Sequence, residues 1–151
     1  MKTLMREILL TTAVIMSFSF PQIARSNPLS MNSGPPPTIQ LATQIPQDPL
    51  QFTQALSGQP ALNCNATPTV ANWVIEMTRP FPYLRFSIQG EGEPVLIIEG
   101  PGGRFCVLAD NYSGDNPEIS GLWDAGTYNI YIGNRTPGDY SYTLKISQKP
   151  N

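Results

Sequence analysis

Residues 82–147 read PYLRFSIQGEGEPVLIIEGPGGRFCVLADNYSGDNPEISGLWDAGTYNIYIGNRTPGDYSYTLKIS. Short runs with a two-residue period are separated there by clusters of Gly, Pro, Asn and Asp. Leu84, Phe86 and Ile88 alternate with Arg85, Ser87 and Gln89, the pattern of a strand with one face in a core. Val95 to Ile98 is continuously apolar and predicts a central strand covered on both faces. Gly100-Pro101-Gly102-Gly103 is a turn, and residues 104–109 form the next strand, which carries Cys106. A polar loop over 110–117 precedes a short strand at 118–123 and a tight turn at Asp124-Ala125-Gly126. Tyr128, Ile130 and Ile132 then face one way, and Thr127, Asn129 and Tyr131 the other. Tyr140, Tyr142, Leu144 and Ile146 alternate with Ser141, Thr143, Lys145 and Ser147. With a strand at Val70–Thr78 upstream, seven strands predict an all-β fold. The expected architecture is an antiparallel β-sandwich of jelly-roll or immunoglobulin-like type over residues 60–149.

Working outward, the N-terminus has a different character. Lys2 and Arg6 precede an uncharged apolar run, Ile8 to Phe20, and Ala24 and Ser26 place small residues where a signal peptidase reads. Residues 1–26 are expected to be a cleaved secretory signal. The run is short against the roughly 20 residues that span a bilayer, so no membrane attachment is expected after cleavage. Residues 27–59 read as a Pro-rich linker, with Pro28, Pro35-Pro36-Pro37 and Pro46. Within it Asp48, Pro49 and Gln51 suggest the capped start of a short helix over 49–56, with Gly58 as its stop.

Residues 27–151 keep six of the nine Lys and Arg and ten of the eleven Asp and Glu, a net charge of −4. Phosphate recognition draws on clustered cations, so nucleic acid is not an expected partner. The chain has no His, which removes Ser-His-Asp and Cys-His catalysis and the commonest transition-metal ligand. Cys64 and Cys106 are an even pair, expected to form one disulfide in an oxidising compartment. Acidic residues in turns leave paired-carboxylate hydrolysis as the one catalytic chemistry to weigh, and it ranks last. Asp110, Asp115 and Asp124, with Asn111 and Asn116, are candidate oxygen ligands for Ca²⁺; Asx-turn chemistry is the plainer account of the loop. Tyr112, Trp123 and Tyr131 are candidate stacking residues for a ligand. Asn65, Asn111 and Asn134 each begin an Asn-X-Ser/Thr pattern, which carries meaning only in a glycosylating pathway.

From Leu84 to Ile146 the chain resembles the bacterial pre-peptidase C-terminal (PPC) domain family. The resemblance rests on LRFSIQGEGEPVLIIEGPGG, a Cys-bearing strand, a polar loop, and the ending DAGTYNIYIG…GDYSYTLKIS. The family commonly has an Asp-rich D-x-D-L-Y strand where this chain reads Glu93-Pro94-Val95-Leu96-Ile97, and its Ca²⁺ ligands lie elsewhere, so no ligand set transfers. The resemblance implies a freestanding accessory or binding module without catalytic residues. The expected role is therefore a secreted or periplasmic, non-enzymatic module for protein or polysaccharide. A structural component of the cell envelope or matrix is the alternative.

Overall fold

The computed structural model describes residues 34–110 and 116–150. The signal-peptide reading of 1–26, the candidates Tyr112 and Asp115, and Asn111 lie outside the described residues.

The period-2 segments fold as expected. Seven strands follow one another as β3 (Trp73–Met77), β4 (Phe81–Gly90), β5 (Pro94–Gly100), β6 (Gly103–Leu108), β7 (Glu118–Trp123), β8 (Gly126–Asn134) and β9 (Gly138–Ser147). Two more precede them: β1 (Thr38–Leu41) and β2 (Leu50–Gln59). One sheet has the order β1-β3-β8-β5-β6 and the other β2-β9-β4-β7. Every pairing is antiparallel except β1 with β3. The result is an all-β sandwich.

The first two strands correct the linker reading. The compact unit begins at Gly34, not near residue 60, and the expected helix over 49–56 is the edge strand β2. Leu50, Phe52, Gln54 and Leu56 are half-buried while Gln51, Thr53, Ala55 and Ser57 are exposed. That alternation suits a strand paired along β9, from Leu50 opposite Ile146 to Leu56 opposite Tyr140. Asp48 does not cap a helix. Its carboxylate accepts from Ser147 Oγ at 2.6 Å and from the Gln148 amide at 3.2 Å, fastening the start of β2 to the end of β9. Gly58 sits at φ 62° in a bulge between Leu56 and Gln59, and its amide donates to the Asp139 carboxylate at 2.6 Å. A weak capping signal lost to tertiary pairing, which supplies the burial that two isolated helical turns lack.

The core between the sheets is built from the predicted inward positions. Leu84, Phe86 and Ile88 of β4 meet Leu96 and Ile98 of β5, Tyr128, Ile130 and Ile132 of β8, and Tyr142, Leu144 and Ile146 of β9. Strand β5 is central, between β8 and β6, and both its faces are covered. Leu96 and Ile98 point into the sandwich, while Val95 and Ile97 form a second cluster on the outer face with Tyr131. The cover for that outer face is a strap, residues 60–72, whose Leu62 and Ala71 pack there beside Cys106. Burying Val95 and Ile97 beneath it stabilises by about 1.5–3 kcal/mol each.

The strap has no ladder of its own and is fixed at separate points. Cys64 bonds Cys106 on β6, across a sequence separation of 42. The Leu62 amide donates to the Asn134 carbonyl at 2.7 Å, and Arg104 donates to the Ala66 carbonyl. Position 133 must be glycine for this to fit, since a Cβ there would meet Leu62 at 2.7 Å. At the near end, Asn72 Oδ1 accepts from the Ile132 amide at 2.6 Å and its Nδ2 donates to Gln54 Oε1 at 3.3 Å.

Two predictions follow from this architecture. The C64S/C106S variant loses loop-closure restraint worth about 4 kcal/mol in the chain-entropy model and loosens the cover of β5. Its melting temperature is expected to fall by more than about 10 °C, as is that of the wild type in reductant; an unchanged melt in both refutes a strap held by the bond. The second concerns alkaline pH. Burial raises the phenol pKa of Tyr128, Tyr131 and Tyr142, aided at Tyr128 by the Asp124 charge and at Tyr131 by Glu99. A pKa raised in the folded state means the unfolded chain ionises first. The stabilisation is thus fully present below about pH 10, the ordinary tyrosine value, and is lost as pH climbs through the folded values. Thermal melts are expected to decline only above pH 10; a decline starting near neutrality contradicts the assignment.

Candidate binding surface

The strap that covers β5 also leaves a concavity. A cleft of about 290 Å³ opens between the strap and the end of β8, with Pro60, Leu62, Pro68, Val70, Asn72 and Tyr131 among its walls. No charged residue lines it. Its rim carries Val70, 67% exposed, and its polar groups come from Gln59, Thr67 and Asn72. Two prolines and the fixed points described above hold the walls without a regular backbone ladder. Chemically, the cleft can accept a neutral, largely apolar group and offers a few amide and hydroxyl partners at its edge.

A smaller pocket of about 100 Å³ lies where the two edge strands β6 and β7 face each other, lined by Phe105, Ile119, Leu122, Trp123, Asp124 and Tyr128 among others. Leu122 is 69% exposed beside it.

Two of the three sequence-named aromatics are among the described residues, and both are covered. Trp123 is 4% exposed. It plugs the gap between the sheets, edge-on to Phe86 at 4.7 Å and to Tyr128 at 5.4 Å, and its indole N–H donates to the Leu84 carbonyl at 3.0 Å. Tyr131 is 8% exposed and lies under the strap, its hydroxyl donating to Glu99 Oε2 at 3.3 Å. Neither offers a free ring face for stacking, and among the described residues every aromatic side chain is buried or half-buried. An indole too large to leave in water is better spent closing the sandwich end. Both residues are corrected from ligand contacts to packing.

Of the candidate cation ligands, Asp110, Asn116 and Asp124 are among the described residues. Asp110 and Asp124 are both exposed, and the Asp124 carbonyl accepts the Tyr128 hydroxyl at 2.9 Å, which fixes the turn between β7 and β8. Among the described residues no three Asp, Glu, Cys or His side chains gather as a metal site. Three glutamates are in ion pairs: Glu93 with Arg135 at 3.1 Å, Glu99 with Arg104 at 3.1 Å and Glu118 with Arg85 at 3.7 Å. The cysteine pair is a disulfide, as expected.

Asn134 is 1% exposed and excludes the third glycosylation pattern from the folded chain. Its Oδ1 accepts from the Glu93 and Thr136 amides and its Nδ2 donates to the Glu91 carbonyl, so one buried amide ties the β4–β5 turn to the β8–β9 turn. Tyr142 Oη lies near enough to this amide to feel it, without a hydrogen bond of acceptable geometry. Asn65, by contrast, is exposed on the strap. Sequence reasoning missed the cleft because residues 60–72 have no period; the signal it did contain was a cysteine amid prolines.

Trp73 is 4% exposed like Trp123, and the burial of both tryptophans is directly testable. Iodide is expected to quench the native protein's fluorescence several-fold less than that of the unfolded chain. Quenching equal to the unfolded chain would return Trp123 to the surface and restore its reading as a stacking residue.

Comparisons with known proteins agree with the fold. No family model matches the chain. An uncharacterized protein of Synechococcus elongatus is 48% identical over 65 residues, which is 43% of this chain. The match spans 47% of that protein, so the chain spans about half the length of the curated relative it matches. The crystal structure of the pre-peptidase C-terminal domain of a collagenase from Bacillus anthracis superposes with a TM-score of 0.51 at 13% identity. The likeness covers 77% of this chain and 100% of that one. The strand sandwich described above therefore has a PPC-like fold.

Proposed function

We propose that the protein is an exported, non-enzymatic β-sandwich module that binds a neutral, extended segment of another protein at the strap cleft. The observation that carries this reading is the uncharged concavity of about 290 Å³ with exposed Val70 at its rim. Export accounts for the apolar leader and is the setting in which a Cys64–Cys106 disulfide persists. A PPC-like fold is compatible with an accessory role. Protein is favoured over polysaccharide because sugar recognition by stacking needs an open ring face, and the described aromatic residues are turned inward or half-covered. Specificity would come from hydrogen bonding at Thr67 on the cleft edge, and affinity from apolar contact with Val70 and the two prolines.

The test is amide-shift mapping with two probe sets: neutral peptides rich in Pro and Leu, and soluble cello- and xylo-oligosaccharides. Peptides are expected to move resonances of residues 60–72 and 131–133, and V70D is expected to weaken the effect at least tenfold without changing the melt. Oligosaccharide-induced shifts alone, or peptide shifts unaffected by V70D, would overturn the reading. No shift with either probe set would favour the structural envelope or matrix role.

A further inference from the structure

A β-sandwich has four sheet edges, and this one treats them unequally. Strand β1 is four residues long. Strand β6 carries Arg104, and β7 carries Glu118 in an ion pair with Arg85. Short length and charge are the usual guards against pairing with another chain. Strand β2 has neither, and its one bulge, between Leu56 and Gln59, leaves residues 50–56 in regular register. It is ten residues long, reads LQFTQALSGQ, and contains no charge and no proline. Its one neighbour is β9, and among the described residues no backbone outside the sheet reaches it.

We propose that the free edge of β2 pairs with β2 of a second copy of this chain, joining two four-stranded sheets into one. The strand is self-complementary in an antiparallel pair. In a two-fold antiparallel pair centred on Gln54, half-buried Phe52 faces Leu56 of the second copy, and Leu56 faces its Phe52. Thr53 faces Ala55 on the solvent side. A shift of two residues one way sets Phe52 against Gln54 but Leu50 against Leu56, so two apolar pairs remain; a shift of two the other way sets Phe52 against Gly58 and Leu56 against Gln54, and loses both. A shift of one residue sets inward against outward side chains. Cross-strand apolar pairs of this kind are the unit of sheet stabilisation, and the neutrality of β2 means that two identical edges meet without like-charge repulsion. The strand pair alone is smaller than the ~1,200–2,000 Å² of stable interfaces, so the dimer is weak and concentration-dependent.

Sedimentation equilibrium of the protein between ~10 μM and ~1 mM tests this, the upper range being where small interfaces associate. The apparent mass is expected to climb toward two copies. T53K/A55K places lysines opposite one another on the exposed face and is expected to hold the protein monomeric with its melt preserved, whereas S120K on β7 leaves dimerisation intact. Amide exchange of the wild type supplies a second readout should T53K/A55K not fold: protection within residues 50–57 rises with concentration and elsewhere stays constant. A wild type monomeric throughout, a dimer that survives T53K/A55K, or one lost to S120K overturns the proposal. So does β2 protection that is complete at the lowest concentration, which would assign the edge to another segment of the same chain.

Discussion

A central strand with apolar side chains on both faces cannot be satisfied by a two-layer sandwich alone, and β5 is such a strand. Leu96 and Ile98 find the facing sheet, but Val95 and Ile97 point away from it. Left bare, that face would expose contiguous aliphatic surface on the middle of a sheet. The chain solves this with the strap, and much of the local detail then follows. Cys64 must reach Cys106 on the neighbouring strand, Gly133 must lack a Cβ where Leu62 crosses, and Asn134 must present its carbonyl to the Leu62 amide. The disulfide is thus a clamp on a cover, and the cover forms the wall of the cleft. Core requirement and candidate surface are one feature seen from two sides.

Asn134 extends the same logic to the loops. A fully buried amide in an apolar sandwich is costly unless paired, and its bonds to the 91–93 and 136 backbone meet that condition. Gly92, at φ 78° and with a would-be Cβ 2.5 Å from the Asn134 amide nitrogen, makes the close approach sterically allowed. Two turns distant in sequence are thereby fixed against each other at the end of the sandwich where the strap begins.

What could be read from the sequence divides along these lines. Strands β4, β8 and β9 were legible from their two-residue period, β5 from a continuous apolar run, and β3, β6 and β7 from short runs bounded by turn residues. The disulfide was legible as the single even pair. Strand β2 was not, since Asp48-Pro49 mimics a helix start and Leu50, Phe52 and Leu56 suit a short amphipathic helix as well as a strand. Only pairing with β9, about ninety residues later, decides between them. Trp123 and Tyr131 were misplaced for a related reason: alternation tells which side of a sheet a residue faces, but not whether that side is covered. Tyr131 does face outward from the sandwich core, and the strap buries it all the same. A segment without period, such as residues 60–72, acquires its meaning only from what lies beneath it.

The two surfaces that emerge are physically continuous. Strand β2 runs at Gln59 directly into Pro60 of the strap, and Gln54 in the middle of β2 accepts from Asn72 at the strap's other end. Asn72 in turn replaces a backbone partner for Ile132 on β8. The segment from Leu50 to Asn72 is therefore a closed circuit, anchored at Asp48, at the disulfide and at the Gln54–Asn72–Ile132 chain of hydrogen bonds. Anything that straightens or rotates β2 acts on Asn72 through Gln54, and so on the floor of the cleft. Rigidity of this kind suits a binding surface, because walls already fixed lose little conformational entropy when a partner arrives. The proposed contacts of strap and edge thus rest on one connected segment, fixed at both ends and in its middle.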